Sequence, residues 1–149
     1  MLNKKSFFAA MIMLTFFGLA FAEPIMKDEA VNSFNEGVKQ QRMGNYAAAG
    51  AAYQKAVYMN PGVELKKMAL NNLGAMLAKE EDFQGAETVF LQALDIDPGY
   101  KSALANLGYM YYLQGDNDLA LKYLLRAEGL KEGKSDFLTE AKQDSIKLR

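Results

Sequence analysis

Glycine and alanine recur in this chain on a fixed frame: Gly37–Ala49–Ala56, Gly74–Ala86–Ala93 and Gly108–Ala120–Ala127. Within each frame the steps are 12 and then 7 residues, and between frames they are 37 and then 34. Self-similarity at such a period marks stacked copies of one helical hairpin rather than a single closed globule. One copy cannot bury its apolar face alone, so its neighbours must cover it. A stack of hairpins presents a curved surface, and the functional question becomes what that surface holds.

The stretch from Lys101 to Lys134 shows the unit most clearly. Leu104, Leu107 and Tyr111 fall at helical spacing, and so do Leu121, Leu124 and Leu125. Between the two runs lies Gly115-Asp116-Asn117-Asp118. Glycine ends a helix by adopting a left-handed conformation at low cost. An Asp or Asn beside it caps the next helix through its side-chain oxygen. The unit is therefore helix, tight turn, helix. Gly108 and Ala120 let the paired helices approach closely, and Ala127 does the same against the following hairpin. A large side chain at Ala120 would overpack that contact at a cost of about 1–3 kcal/mol.

This pattern resembles the tetratricopeptide repeat, a helical hairpin of 34 residues. The first unit carries Gly37, Gly44-Asn45-Tyr46, Ala49, Tyr53, Ala56 and Pro61. The second carries Leu70, Leu73-Gly74, Leu77, Phe83, Ala86, Phe90, Ala93 and Pro98, and the third Leu104, Leu107-Gly108, Tyr111, Gly115, Ala120, Leu124 and Ala127. The resemblance implies an all-α fold, a right-handed α-solenoid of three hairpins with a C-terminal capping helix. The units run 30–63, 67–100 and 101–134, with an insertion at 64–66 and the cap at 135–149. The insertion is expected to lengthen a helix by about one turn. Ser33 and Glu36 stand where the family usually places large apolar residues, which suits an end repeat with solvent on one side. After Ser135, a stripe of Phe137, Leu138, Ala141, Ser145 and Leu148 fits a helix that covers the last hairpin. Seven helices are expected in all.

The N-terminus belongs to none of these units. Lys4 and Lys5 precede an apolar run from Phe7 to about Leu19, and Ala20-Phe21-Ala22 offers a small-x-small cleavage pattern. Residues 1–22 thus read as a signal peptide cleaved after Ala22, with 23–29 a short leading segment. The run is shorter than the ~20 apolar residues that span a bilayer, so retention as a membrane anchor is the less favoured alternative. The expectation is an exported protein, periplasmic or secreted, soluble and monomeric, with no stable membrane insertion. Net charge is −1, with no basic block, so nucleic acid is not an expected partner.

Chemistry is scarce. The chain has neither histidine nor cysteine, which removes the commonest general base, the commonest transition-metal ligand and the thiolate nucleophile. Ser33, Ser102, Ser135 and Ser145 have no base beside them. Asp116 and Asp118 could open a calcium loop, but Leu121 and Ala127 occupy the positions that require glycine and glutamate. The segment reads as a helix-joining turn, and Lys79-Glu80-Glu81-Asp82 as a solvated one. Of nine methionines, Met1, Met11 and Met13 lie in the signal region and the others are scattered, as gap-fillers are. An enzyme is not expected, nor a metal, nor a cofactor.

In tetratricopeptide arrays the first helix of each hairpin lines a concave groove. The family phase puts Asn35, Asn72 and Asn106 at one groove-facing position. In register they would pair with a peptide backbone, similar to the asparagine ladder in the repeat domain of O-GlcNAc transferases. The alternative is that they bond locally. Phe34 and Val38 flank them in the first unit, Asn71 and Lys79 in the second. Tyr109 and Tyr112 come from the third; they are expected to be exposed, because Leu104, Leu107 and Tyr111 already fill that helix's core positions. The carboxylate clamp of chaperone-binding family members maps onto Phe34, Val38, Asn72, Ser102 and Asn106, and only Asn72 agrees. The leading reading is a protein-interaction module that binds a peptide segment of an envelope partner as an assembly adaptor. The alternative is a holding chaperone resembling the type III secretion chaperones of translocators, which carry no signal peptide.

Overall fold

The computed structural model describes residues 27–129. The signal segment, residues 23–26, the end of the third unit and the capping helix lie outside the described residues. Six helices make up the described part: α1 over residues 27–42, α2 Tyr46–Tyr58, α3 Val63–Lys79, α4 Phe83–Ile96, α5 Lys101–Leu113 and α6 Asn117–Glu128. No strand occurs among the described residues. The fold is an all-α solenoid of three hairpins, α1–α2, α3–α4 and α5–α6. Residues 27–29, which the sequence places in the leading segment, are already helical in α1. The insertion at 64–66 lies in the first turn of α3, which has 17 residues against 13 in α5.

The recurring glycine has a direct steric cause. A Cβ on Gly37 would lie 2.7 Å from the Tyr53 ring, and one on Gly74 would lie 2.6 Å from the Phe90 ring. At Gly108 it would meet Leu124 at 2.7 Å and the Ala120 carbonyl oxygen at 3.1 Å. In each hairpin, then, the first helix gives up a side chain so that a large side chain of the second can lie across its backbone. Tyr53 and Phe90 are fully buried in this way, whereas Leu124 stays 36% exposed.

Each hairpin turns on one left-handed residue followed by a capping position. The left-handed residues are Gly44 (φ +79°), Glu81 (φ +64°) and Gly115 (φ +81°). Asp82 then caps α4 by accepting from the Gly85 N–H at 3.0 Å. Asp116 caps α6 by accepting from the Leu119 N–H at 3.1 Å. Asn45 holds the same place before α2 but makes no such bond; its amide donates to Gln40 instead.

Two apolar clusters hold the stack together. The larger joins α3 to α6 through Leu70, Phe90, Leu104, Leu107 and Met110. The smaller joins α2 to α3 through Ala49, Tyr53, Leu73 and Met76. Ser33 is buried in α1, while Glu36 is exposed and meets Lys39 and Gln40. Lys67 ties α3 to the end of α4 and to the start of α5: its Nζ lies 3.0 Å from both Glu64 and Asp97 and 4.9 Å from the centre of the Tyr100 ring.

Candidate binding groove

The repeat phase assigns one face to α1, α3 and α5, the first helices of the three hairpins. On α3 the buried residues are Ala69, Leu70, Asn71, Leu73, Gly74 and Met76. That leaves Met68, Asn72, Ala75 and Lys79 on the inner face, at helical spacing. The same register in α5 gives Ser102, Asn106, Tyr109 and Leu113, and in α1 Val31, Asn35, Val38 and Arg42.

Two of the three asparagines, Asn72 and Asn106, are joined by hydrogen bonds through Asn71. Asn106 donates to the Oδ1 of Asn71 at 3.0 Å, and Asn71 donates to the Oδ1 of Asn72 at 3.3 Å. Separately, the Tyr53 hydroxyl donates to the Oε1 of Gln41 at 2.7 Å. One set of hydrogen bonds thus joins α5 to α3, and a separate bond joins α2 to α1. Asn35 stands apart, exposed, with no side-chain hydrogen bond to another described residue. The reason is geometric. Asn71 points into the α3–α5 contact, where burial obliges a polar side chain to find a partner, and Asn72 and Asn106 supply it. Burial holds the Tyr53 hydroxyl above its ordinary pKa, against smaller opposing effects from Asn72 and Arg42.

The aromatic candidates divide. Phe34 is half-buried against Tyr53, with ring centroids 5.5 Å apart, and both Phe34 and Val38 pack on the smaller core. Tyr109 and Tyr112 are 59% and 62% exposed and stack on each other at 6.5 Å. Tyr111 between them behaves oppositely. It is buried, stacks on Tyr123 at 5.6 Å and donates its hydroxyl to Glu87; burial first, and Glu87 second, push its pKa well upward. Lys79 is exposed, with its Nζ 5.9 Å from the centre of the Tyr46 ring.

Leu113, 54% exposed, and Met68, 42% exposed, join this surface without having been singled out in the sequence. The available signal was their register: Leu113 falls where Lys79 and Arg42 fall in the other hairpins. Among the described residues no three acidic side chains converge as metal ligands would, and no helix is long and apolar enough to cross a membrane.

A stack of hairpins with an inner face carrying unburied aromatic rings is an α-solenoid of the protein-interaction class. Tetratricopeptide repeat family models match residues 67–132 and 40–62. Together these stretches cover more than half of the sequence, and the chain belongs to the tetratricopeptide repeat family. It is 30% identical over 88 residues to the Photosystem I assembly protein Ycf3 of Rippkaea orientalis, a match that covers 59% of this chain and 51% of that protein. The chain therefore spans about half the length of that relative.

Among solved structures it is similar to MamA, with a TM-score of 0.62 at 24% identity over 69% of this chain and 58% of that one. It is also similar to the second TPR of Spaghetti (RPAP3) bound to the HSP90 peptide SRMEEVD, with a TM-score of 0.66 at 20% identity over 76% of this chain and 96% of that one. At these identities the two structures establish the shared fold.

Proposed function

We propose that this protein is a non-enzymatic assembly adaptor whose inner face, on α1, α3 and α5, holds an extended segment of a cell-envelope protein. The observation that carries the reading is the pair Tyr109 and Tyr112, which stack in the open on a helix whose core positions are already filled. Exposed tyrosines supply contact area with a polar tip at low conformational cost, and binding surfaces are enriched in them. An assembly protein among the relatives and a fold neighbour holding a peptide support the same use. Export to the envelope rests on the composition of residues 1–22. The clamp positions Phe34, Val38 and Ser102 lack the side chains that would grip a terminal carboxylate, so the reading is of an internal segment.

The test is affinity capture from an envelope extract. The wild-type chain should retain its partner, and Tyr109→Ser/Tyr112→Ser should lose it at unchanged helicity. Leu91→Ser, an exposed change on α4, should bind as wild type. Equal retention by the tyrosine variant would sink the proposal. N-terminal sequencing of the exported protein should begin at Glu23; an intact Met1 would argue against the envelope location.

A further inference from the structure

Charge on the inner face is one-sided. Arg42 and Lys79 are the charged side chains in the inner register of α1, α3 and α5 among the described residues, and both are exposed. Neither forms an ion pair with another described residue. None of the acids of α1 and α3 neutralises them: Asp28, Glu29 and Glu64 lie about 20 Å away at the opposite ends of their helices, and Glu36 is paired with Lys39. Helix α5 has no acidic residue. Glu80 and Glu81 lie beyond the end of α3, in the turn, and neither is paired with Lys79. A chain whose net charge is −1 thus presents an inner rim that is basic on two helices and apolar on the third.

Register gives this rim a direction. Arg42, Lys79 and Leu113 occupy the same place in successive hairpins, with Tyr109 and Tyr112 beside Leu113. Packed helices lie about 8–10 Å apart, and an extended chain advances about 3.3 Å per residue. A segment crossing the groove therefore passes from one first helix to the next in about three residues.

Resting on the groove reading above, we infer that the partner segment is an acidic one of defined spacing. It carries an aromatic or large aliphatic side chain for the Tyr109–Tyr112 pair, an acidic residue about three positions away for Lys79, and a second about three further for Arg42. The asparagines add little sequence preference, because Asn71, Asn72 and Asn106 are already bonded to one another.

A random 12-residue peptide library displayed on phage, panned on the immobilised full chain at low salt, tests this. Enriched peptides should share the apolar-x-x-acid-x-x-acid pattern in one chain direction. Their affinity should fall about tenfold or more on Arg42→Glu/Lys79→Glu, on Tyr109→Ser/Tyr112→Ser, and as salt rises. Peptides lost on the tyrosine variant but lacking acids, and indifferent to the charge variant, would overturn this inference and leave the groove reading standing. Acidic peptides indifferent to the tyrosine variant would overturn it as well. Peptides indifferent to both variants, or no enrichment at all, would overturn both.

Discussion

The second and third hairpins share one plan and use it differently. In the second, Phe90 lies across Gly74 and is 1% exposed; in the third, Leu124 lies across Gly108 and is 36% exposed. On α3, Asn71 points into the contact with α5 and ties Asn72 to Asn106. At the position of Asn71, α5 has Ala105, and Tyr109 and Tyr112 stand in the open nearby. Tyr109 and Tyr112 stand where α3 has Ala75 and Ala78, which pack against the core, so those two positions serve cohesion in one hairpin and presentation in the next. Repeats that stack need not be equivalent: the middle one, covered on both sides, carries the packing, and its neighbour can carry exposed aromatic surface.

Truncation should separate the two hairpins most widely. Phe90→Ala should cost about 3–5 kcal/mol in urea unfolding, because it empties a filled site. Leu124→Ala, at a part-exposed site, should cost about 1 kcal/mol. Equal costs would erase the distinction. Asn71→Ala should cost about 1–3 kcal/mol by leaving its amide partners unsatisfied. Tyr109→Ser/Tyr112→Ser should stay within about 0.5 kcal/mol of wild type, as exposed substitutions do.

The turns sharpen the comparison further. Glu81 holds a left-handed conformation that Gly44 and Gly115 hold in the other hairpins. Glu81→Gly should stabilise by about 0.5–1 kcal/mol, and Gly115→Glu should destabilise by a similar amount. Thermal unfolding of the two variants checks this.

The smallest effect concerns the ion pair that joins α3 to the end of α4 in the second hairpin. Hydrogen bonding from Lys67 holds the Asp97 carboxyl below its ordinary pKa, and Asp97 holds Lys67 above its own. A lowered carboxyl pKa contributes stability that is present above the unfolded value and is lost as pH falls through the folded one. A raised lysine pKa contributes stability that is present below about pH 10.4 and is lost as pH rises through the folded value. Asp97→Asn should therefore melt below wild type near neutral pH, and the gap should close below about pH 4. A gap that persists in acid would assign the loss to packing instead of charge.

Most of the fold was legible because its period is steric. A glycine facing a large side chain in each hairpin cannot drift in sequence without a collision, so the spacing survives and can be read. The lengthened α3 and the Asp116 cap followed from the same phase. The exposure of Tyr109 and Tyr112 was legible by elimination, since Leu104, Leu107 and Tyr111 fill the core. The pairing of Asn71 with Asn106 was not, because it depends on how α3 and α5 cross, which no single helix encodes. The turn at Lys79–Asp82 was legible, but the left-handed conformation of Glu81 was not, because glutamate seldom adopts it, although its alignment with Gly44 and Gly115 carried the signal. Leu113 and Met68 were missed because apolar residues near helix ends read as core.

The central claim is that the partner lies on the inner face at α5. A photo-crosslinking amino acid placed at Tyr109, and separately at Tyr58, which is 81% exposed on α2, tests it directly in cells. The account predicts a discrete adduct from position 109, lost when Arg42 and Lys79 are both changed to glutamate, and none from position 58. An adduct from 58 with none from 109 would contradict it.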